Sequence, residues 1–187
     1  MSLINLPTHG VAFPHANSLS VQPPLDILFI HHLPVMGGAT QSLLGLVKFM
    51  QQQGLRCKVL FLQQQGNAIE RYRQEGIDVI LNDRIYSYAH AYGAYNKIVS
   101  RRPWRVVTNL IKAFRSTETA KQVMAAEQPR VVYLNTSVLI PCARAAHQLK
   151  IPVIWHLREQ LHNGYLGIRK KMVRQLFAKY ANRIIAI

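Results

Sequence analysis

Acidic side chains are scarce in this 187-residue sequence, with 8 Asp and Glu against 23 Lys and Arg and a formal charge of +15. So lopsided a balance implies a polyanionic neighbour: nucleic acid, acidic lipid or a phosphorylated ligand. Cysteine is scarce as well. Cys57 and Cys142 fall in a strand pattern and a helix pattern, where free buried thiols are ordinary, which argues against a disulfide framework. No apolar run reaches the roughly 18 residues needed to span a bilayer. The first 24 residues carry no Lys, Arg, Asp or Glu and lack the charged start and apolar core of a signal peptide. A cytoplasmic protein is the expectation. Only 17% of residues are charged and 49% are hydrophobic, which argues against disorder and for one domain with its own core.

Missing motifs narrow the chemistry further. No metal-ligand spacing and no Ser/His/Asp set can be assigned, so zinc and hydrolytic chemistry have little support and no metal or cofactor is expected. There is no G-x-G-x-x-G fingerprint. The second strand closes with Leu62 followed by Gln63, Gln64 and Gln65 instead of an acid, which disfavours a dinucleotide-dependent oxidoreductase. Nucleic-acid binding is an alternative class compatible with basic charge and interleaved aromatics, but no helix-turn-helix, zinc or RNA-recognition signature accompanies it.

What is present is regular alternation. Residues 1–24 show no periodicity and read as an arm or leader outside the fold. From Leu25 onward, short β-branched and aromatic runs predict strands over 25–32, 57–62, 77–81, 130–135, 152–157 and 183–187. Between them, 3.6-residue periodicity predicts helices over 38–53, 67–75, 103–127, 138–149 and 168–181. Gly54 and Gly76 stand where helices end, and Pro129 and Pro152 follow helices they could not continue. Nearly continuous apolar strands alternating with helices predict an α/β fold: a Rossmann-like, doubly wound parallel sheet of order 3-2-1-4-5-6.

Ligands of such sheets sit at the carboxyl ends of the strands, where three loops of this sequence should converge. The first runs from His31 and His32 to Gly37, Gly38 and Ala39. Two glycines there would let backbone approach a ligand, and the following helix offers unpaired N–H groups to a diphosphate; alternatively they only make a tight turn. The second loop, Asn135-Thr136-Ser137, could bond a sugar or phosphate, or cap the helix expected from Val138. The third contains His156, Arg158 and Glu159, a set able to position a hydroxyl, move a proton or pair with phosphate oxygens. An Arg158–Glu159 ion pair, or a histidine satisfied in the core, is the plainer alternative.

The stretch "ILFIHHLPVMGGATQSLLGLVKFMQQQGLRCKVLFL" resembles the opening of the amino-terminal domain of GT-B glycosyltransferases of the family 4 type. "VVYLNTSVLIPCARAAHQLKIPVIWHLRE" is similar to that family's fourth strand, helix and fifth strand, and "ANRIIAI" to the segment before its interdomain linker. The resemblance covers residues 25–187. It implies retaining transfer of a sugar from a nucleotide-sugar, a substrate and not a cofactor, to a glycan, lipid-linked or other acceptor. It also implies that Gly37, Gly38 and Ala39 approach the donor diphosphate while His31, His32, Asn135, Thr136 and Ser137 shape the acceptor cleft. The family's carboxyl-terminal, donor-binding domain is absent from this chain, so the fragment alone is expected to be inactive. One departure stands out: where the family often ends strand five with Thr-x-His-Asp, spacing from Pro152 puts His156 at the threonine position, Arg158 at the histidine position and Glu159 at the aspartate position. The family histidine's role therefore transfers to no one residue, and its phosphate-facing or acceptor-facing duty could rest on Arg158 instead.

The positive charge gathers in two places. Lys97, Arg101, Arg102, Arg105, Lys112, Arg115 and Lys121 lie on or before the third helix, and Arg169, Lys170, Lys171, Arg174 and Lys179 on the last. The last helix is amphipathic. Tyrosines and Trp104 among the arginines of 86–104 make an anionic membrane surface a plausible partner, at the inner face of the membrane, with about 1 kcal/mol per basic residue near it.

Overall fold

The computed structural model describes residues 24–88, 108, 111–159 and 168–186. The elements are β1 (Ile27–His31), α1 (Gly38–Gln52), β2 (Cys57–Phe61), α2 (Asn67–Gln74), β3 (Asp78–Leu81), α3 (Thr117–Glu127), β4 (Val131–Leu134), α4 (Ile140–Gln148), β5 (Val153–Leu157), α5 (Ile168–Tyr180) and β6 (Arg183–Ala186). The six strands form one parallel sheet in the order β3-β2-β1-β4-β5-β6. This is the expected doubly wound arrangement, with β1 and β4 neighbours at the switch point.

Both faces of the central strands are covered, which is why those strands read as unbroken apolar runs, whereas β6 at the edge is exposed among the described residues. Phe29, Val59, Phe61 and Tyr133 pack with Leu43, Leu44 and Val47 of α1 and Tyr72 of α2. Leu28, Ile30, Leu134 and Trp155 pack on the opposite face with α3, α4 and α5. Trp155 is fully buried, meets the Phe177 ring at 4.5 Å and donates from Nε1 to the Thr136 carbonyl at 2.7 Å. Gly54 and Gly76 take left-handed φ angles of 81° and 73° just after α1 and α2, the conformation in which a helix end is cheapest for glycine.

Two helix boundaries depart from the sequence pattern. The third helix is not continuous over 103–127: residues 111–115 are helical, Ser116 interrupts, and α3 begins at Thr117. Ser116 Oγ donates to the Ala113 carbonyl at 3.0 Å, the local side-chain bond by which serine competes with helical pairing. The fourth helix begins at Ile140 instead of Val138, with Pro141 in its first turn. Its cap residue is Leu139 and no side chain caps it, so none of Asn135, Thr136 and Ser137 has the capping role weighed for them. Residues 103–107, 109 and 110 of the predicted third helix lie outside the described residues, as do residues 1–23 of the predicted 1–24 arm.

The charge excess is only partly offset internally. Asp26 pairs with Arg130 at 3.2 Å, Glu127 with Lys58 at 2.7 Å and Glu118 with Lys121 at 3.1 Å, while Glu75 takes both Lys48 and Arg71. No helix of the described residues is long and apolar enough to cross a membrane.

Candidate functional site

The pleat and register of the central strands decide what meets at the rim. Phe29, Tyr133 and Ile154 are aligned across β1, β4 and β5, and their side chains face α1 and α2. Two residues further on, the same face carries His31, Asn135 and His156, and beyond His156 comes Arg158. The alternate residues, His32, Thr136 and Glu159, follow Ile30, Leu134 and Trp155, which belong to the other face.

Asn135, fully buried, is the hub of the first group. Its Nδ2 donates to the Ala39 carbonyl at 3.2 Å and lies 3.2 Å from His31 Nδ1; its Oδ1 accepts from Arg158 Nε at 3.0 Å. Arg158 Nη2 reaches Ser42 Oγ, on α1, at 2.9 Å. The guanidinium is thus tethered between β4 and α1, beside the first turn of that helix.

That first turn is open. Gln41 N–H is paired with the Gly37 carbonyl at 2.8 Å, the amides of Gly38, Ala39 and Thr40 precede it, and no side chain caps the helix. Gly37 has φ −161° and ψ −178°, extended backbone that any residue adopts. A Cβ added at Gly37 or Gly38 would meet nothing within 4 Å. The tight-turn alternative for this glycine pair therefore has no steric basis among the described residues. What the pair does provide is bare backbone at the positive end of a 15-residue helix.

The loop is held from behind by the β2–α2 turn. Leu62 N–H donates to the His31 carbonyl at 3.2 Å, Ala68 N–H to the Pro34 carbonyl at 2.9 Å, and Met36 N–H to Asn67 Oδ1 at 2.8 Å. Gly66 permits this approach, because a Cβ there would overlap the Pro34 carbonyl. Sequence reasoning missed Gly66 and Asn67; a Gly-Asn pair opening a helix opposite the first loop was the signal available.

Across the switch point the second turn is closed. Glu159 Oε2 accepts from Ser137 N–H at 2.9 Å, so a carboxylate of the chain itself occupies the turn that leads into α4. Arg158 and Glu159 form no ion pair with each other among the described residues. His156 Nδ1 lies 2.8 Å from the Tyr133 hydroxyl, back along the sheet. The buried atoms His32 Nδ1, Thr136 Oγ1, Ser137 Oγ and His156 Nε2 have no hydrogen-bond partner among the described residues.

Burial favours the neutral form of the three rim histidines. His31, 3% exposed, is pushed down to about 3, by desolvation first and then by the charges of His32 and Arg158. Desolvation also lowers His32, opposed by Glu159. His156 is lowered by desolvation and by Arg158, with Glu159 again opposing.

On α5, Val173, Phe177 and Tyr180 are buried while Lys170, Lys171 and Arg174 are exposed, so the expected amphipathic helix is present. Arg101, Arg102 and Arg105 lie outside the described residues, and so does the side chain of Arg169. No group of His, Cys, Asp or Glu able to hold a metal occurs among the described residues.

A parallel sheet of order β3-β2-β1-β4-β5-β6 with helices on its two faces defines a Rossmann-like α/β domain. Among solved structures it is similar to MurG of Acinetobacter baumannii, with TM-score 0.55, 19% identity, and coverage of 88% of this chain and 41% of that one. It is also similar to the spinosyn rhamnosyltransferase SpnG complexed with thymidine diphosphate, with TM-score 0.51, 14% identity, and coverage of 86% and 44%. The chain thus spans less than half the length of either structure, and at these identities the likeness is one of fold. No curated protein matches the chain. The family profile of Glycosyltransferase Family 4 matches residues 36–187, and the chain belongs to that family.

Proposed function

We propose that this chain is the acceptor-side, amino-terminal domain of a retaining glycosyltransferase that moves a sugar from a nucleotide-sugar to a glycan or lipid-linked acceptor. Family membership supports the class. The observation that carries the reading is the Gly37-Gly38 pair: nothing among the described residues requires glycine there, yet both expose backbone at an uncapped helix N-terminus whose helix Arg158 contacts.

In this reading the amides of Gly38, Ala39 and Thr40 and the Arg158 guanidinium receive the donor diphosphate, whose leaving charge they stabilise as the glycosidic bond to phosphate breaks. Arg158 takes the position where the family often has histidine, and being always charged it serves as an electrostatic group and not as a proton carrier. His31, held neutral, and His156, shifted toward its neutral form, are suited to hydrogen bonding. The buried polar groups of His32, Thr136 and Ser137, without a partner among the described residues, would serve the acceptor side. Turnover requires a second, donor-holding domain. The exposed Lys170, Lys171 and Arg174 support docking to an anionic membrane, where a lipid-linked acceptor would reside.

The test is product analysis with the complete polypeptide. Transfer from a nucleotide-sugar with the anomeric configuration kept, read by proton NMR of the new linkage, is expected. Inverted product, or sugar release to water alone, would contradict the mechanism.

A further inference from the structure

We propose that Asn135 is a positioning residue: its side-chain amide is a bracket that sets the Arg158 guanidinium beside the open N-terminus of α1, so that one anion meets both. The inference rests on the diphosphate reading above and adds the device by which the site is held ready.

The hydrogen-bond directions follow from the chemistry of the partners. Arg158 Nε–H can only donate, so the atom of Asn135 facing it at 3.0 Å is the carbonyl oxygen. The Asn135 amino group therefore faces the other way. One of its hydrogens goes to the Ala39 carbonyl, which only accepts, and the second is directed to His31 Nδ1. His31 must then carry its proton on Nε2. Protonating Nδ1 as well would set two donors against each other inside a fully buried contact.

Both Asn135 N–H groups are used by the protein itself, and its oxygen already holds Arg158. A side chain so engaged acts on a ligand through what it positions. Its three partners come from three elements: His31 closes β1, Ala39 opens α1, and Arg158 follows β5. Ser42 anchors the far side of the guanidinium to α1. An arginine without the bracket would have many rotamers in which its charge is out of reach of the Gly38–Thr40 amides.

The experiment uses the 187-residue chain, inorganic pyrophosphate as probe, and NMR of the His31 ring. In the wild type, His31 should be the Nε2–H tautomer and stay neutral through pH 5. Asn135→Asp, nearly isosteric, keeps an acceptor for Arg158 but removes both donors, so His31 should take up a proton on Nδ1 and titrate at higher pH. Asn135→Ala should weaken pyrophosphate binding by about tenfold, as should Arg158→Lys, which keeps the charge but loses the fork. Asn135→Asp should weaken it at least as much, its carboxylate offsetting the guanidinium. If Asn135→Ala does not fold, Asn135→Asp and Arg158→Lys carry the test.

Full pyrophosphate affinity in folded Asn135 variants would overturn the positioning role while leaving the diphosphate reading intact. A wild-type His31 that is the Nδ1–H tautomer, or that titrates in the same range as in Asn135→Asp, would overturn the bracket itself. A wild type with the expected His31 behaviour that binds no pyrophosphate would sink the diphosphate reading, and with it the ligand role given to Asn135.

Discussion

Two turns stand side by side on the rim of this sheet, and they are finished in opposite ways. The β1–α1 turn ends in bare glycine backbone, an uncapped helix and the Arg158 guanidinium. The β4–α4 turn already holds an anion, the Glu159 carboxylate on Ser137 N–H. Two consecutive residues supply the difference, because the pleat sends Arg158 to the α1 side and Glu159 to the other. The lesson concerns where a ligand's negative charge can go. A diphosphate at the closed turn would displace or repel Glu159, whereas at the open turn the described residues offer it a helix N-terminus and the Arg158 guanidinium.

If that contrast is right, the two residues should fail differently, and this is the largest expected effect. Arg158→Ala should weaken binding of pyrophosphate or a nucleoside diphosphate by about 2–3 kcal/mol, the range of a charge-assisted bond, and should also lower stability by about 1–2 kcal/mol as the buried Asn135 Oδ1 loses its donor. Glu159→Ala should lower stability by a similar amount, about 1–2 kcal/mol, as Ser137 N–H loses its acceptor, but leave affinity unchanged or improved. Titration calorimetry would separate the two variants, and urea unfolding would read the loss of stability they share. Equal loss of affinity in the two would erase the distinction between the turns.

Acid should act on the open turn through His31. An unfolded His31 takes its proton near the ordinary 6.5, while the folded one resists until about 3. Between those values the unfolded state binds more protons, so stability falls as pH drops, by up to about 1.4 kcal/mol per pH unit from this group, and is unaffected by it above 6.5. His32 and His156 are shifted in the same direction. His31→Gln should flatten the pH dependence of urea unfolding between pH 6 and 4; an unchanged slope would show that His31 is not held neutral.

Gly66→Ala probes the support behind the open turn. The added methyl must push the Pro34 segment away, which should cost about 1–3 kcal/mol and reduce protection of the Ala68 and Met36 amides in hydrogen exchange. Smallest is Gly38→Ala, where the methyl has space and helix propensity improves. Stability should rise by up to about 1 kcal/mol while pyrophosphate affinity falls, a sign opposition that a purely structural glycine would not show.

Much of the scaffold could be read without coordinates. Continuous apolar strands, right-handed crossovers and glycines at helix ends lead to the strand order and to three loops at one rim, because those features are governed by local chain physics. The pairing of side chains within the rim could not. His156, Arg158 and Glu159 look like one cluster in sequence, yet the pleat divides them between two faces. Asn135 reads as a ligand or cap, and only its neighbours 96 and 104 residues away reveal an amide with both hydrogens occupied. Gly66 depends on a contact with Pro34 that no local pattern encodes. The later start of α4 was half visible in Pro141, which suits a first helical turn.

The most direct measurement is a pyrophosphate titration of the isotopically labelled chain, followed by backbone amide and arginine side-chain NMR. The expected result is saturable shifts at Gly38, Ala39, Thr40 and Arg158 Nε, with Ser137 and Ile140 still. Shifts centred on Ser137 to Ile140, or only on Lys170, Lys171 and Arg174 of α5, would contradict the claim that the open turn is the anion site.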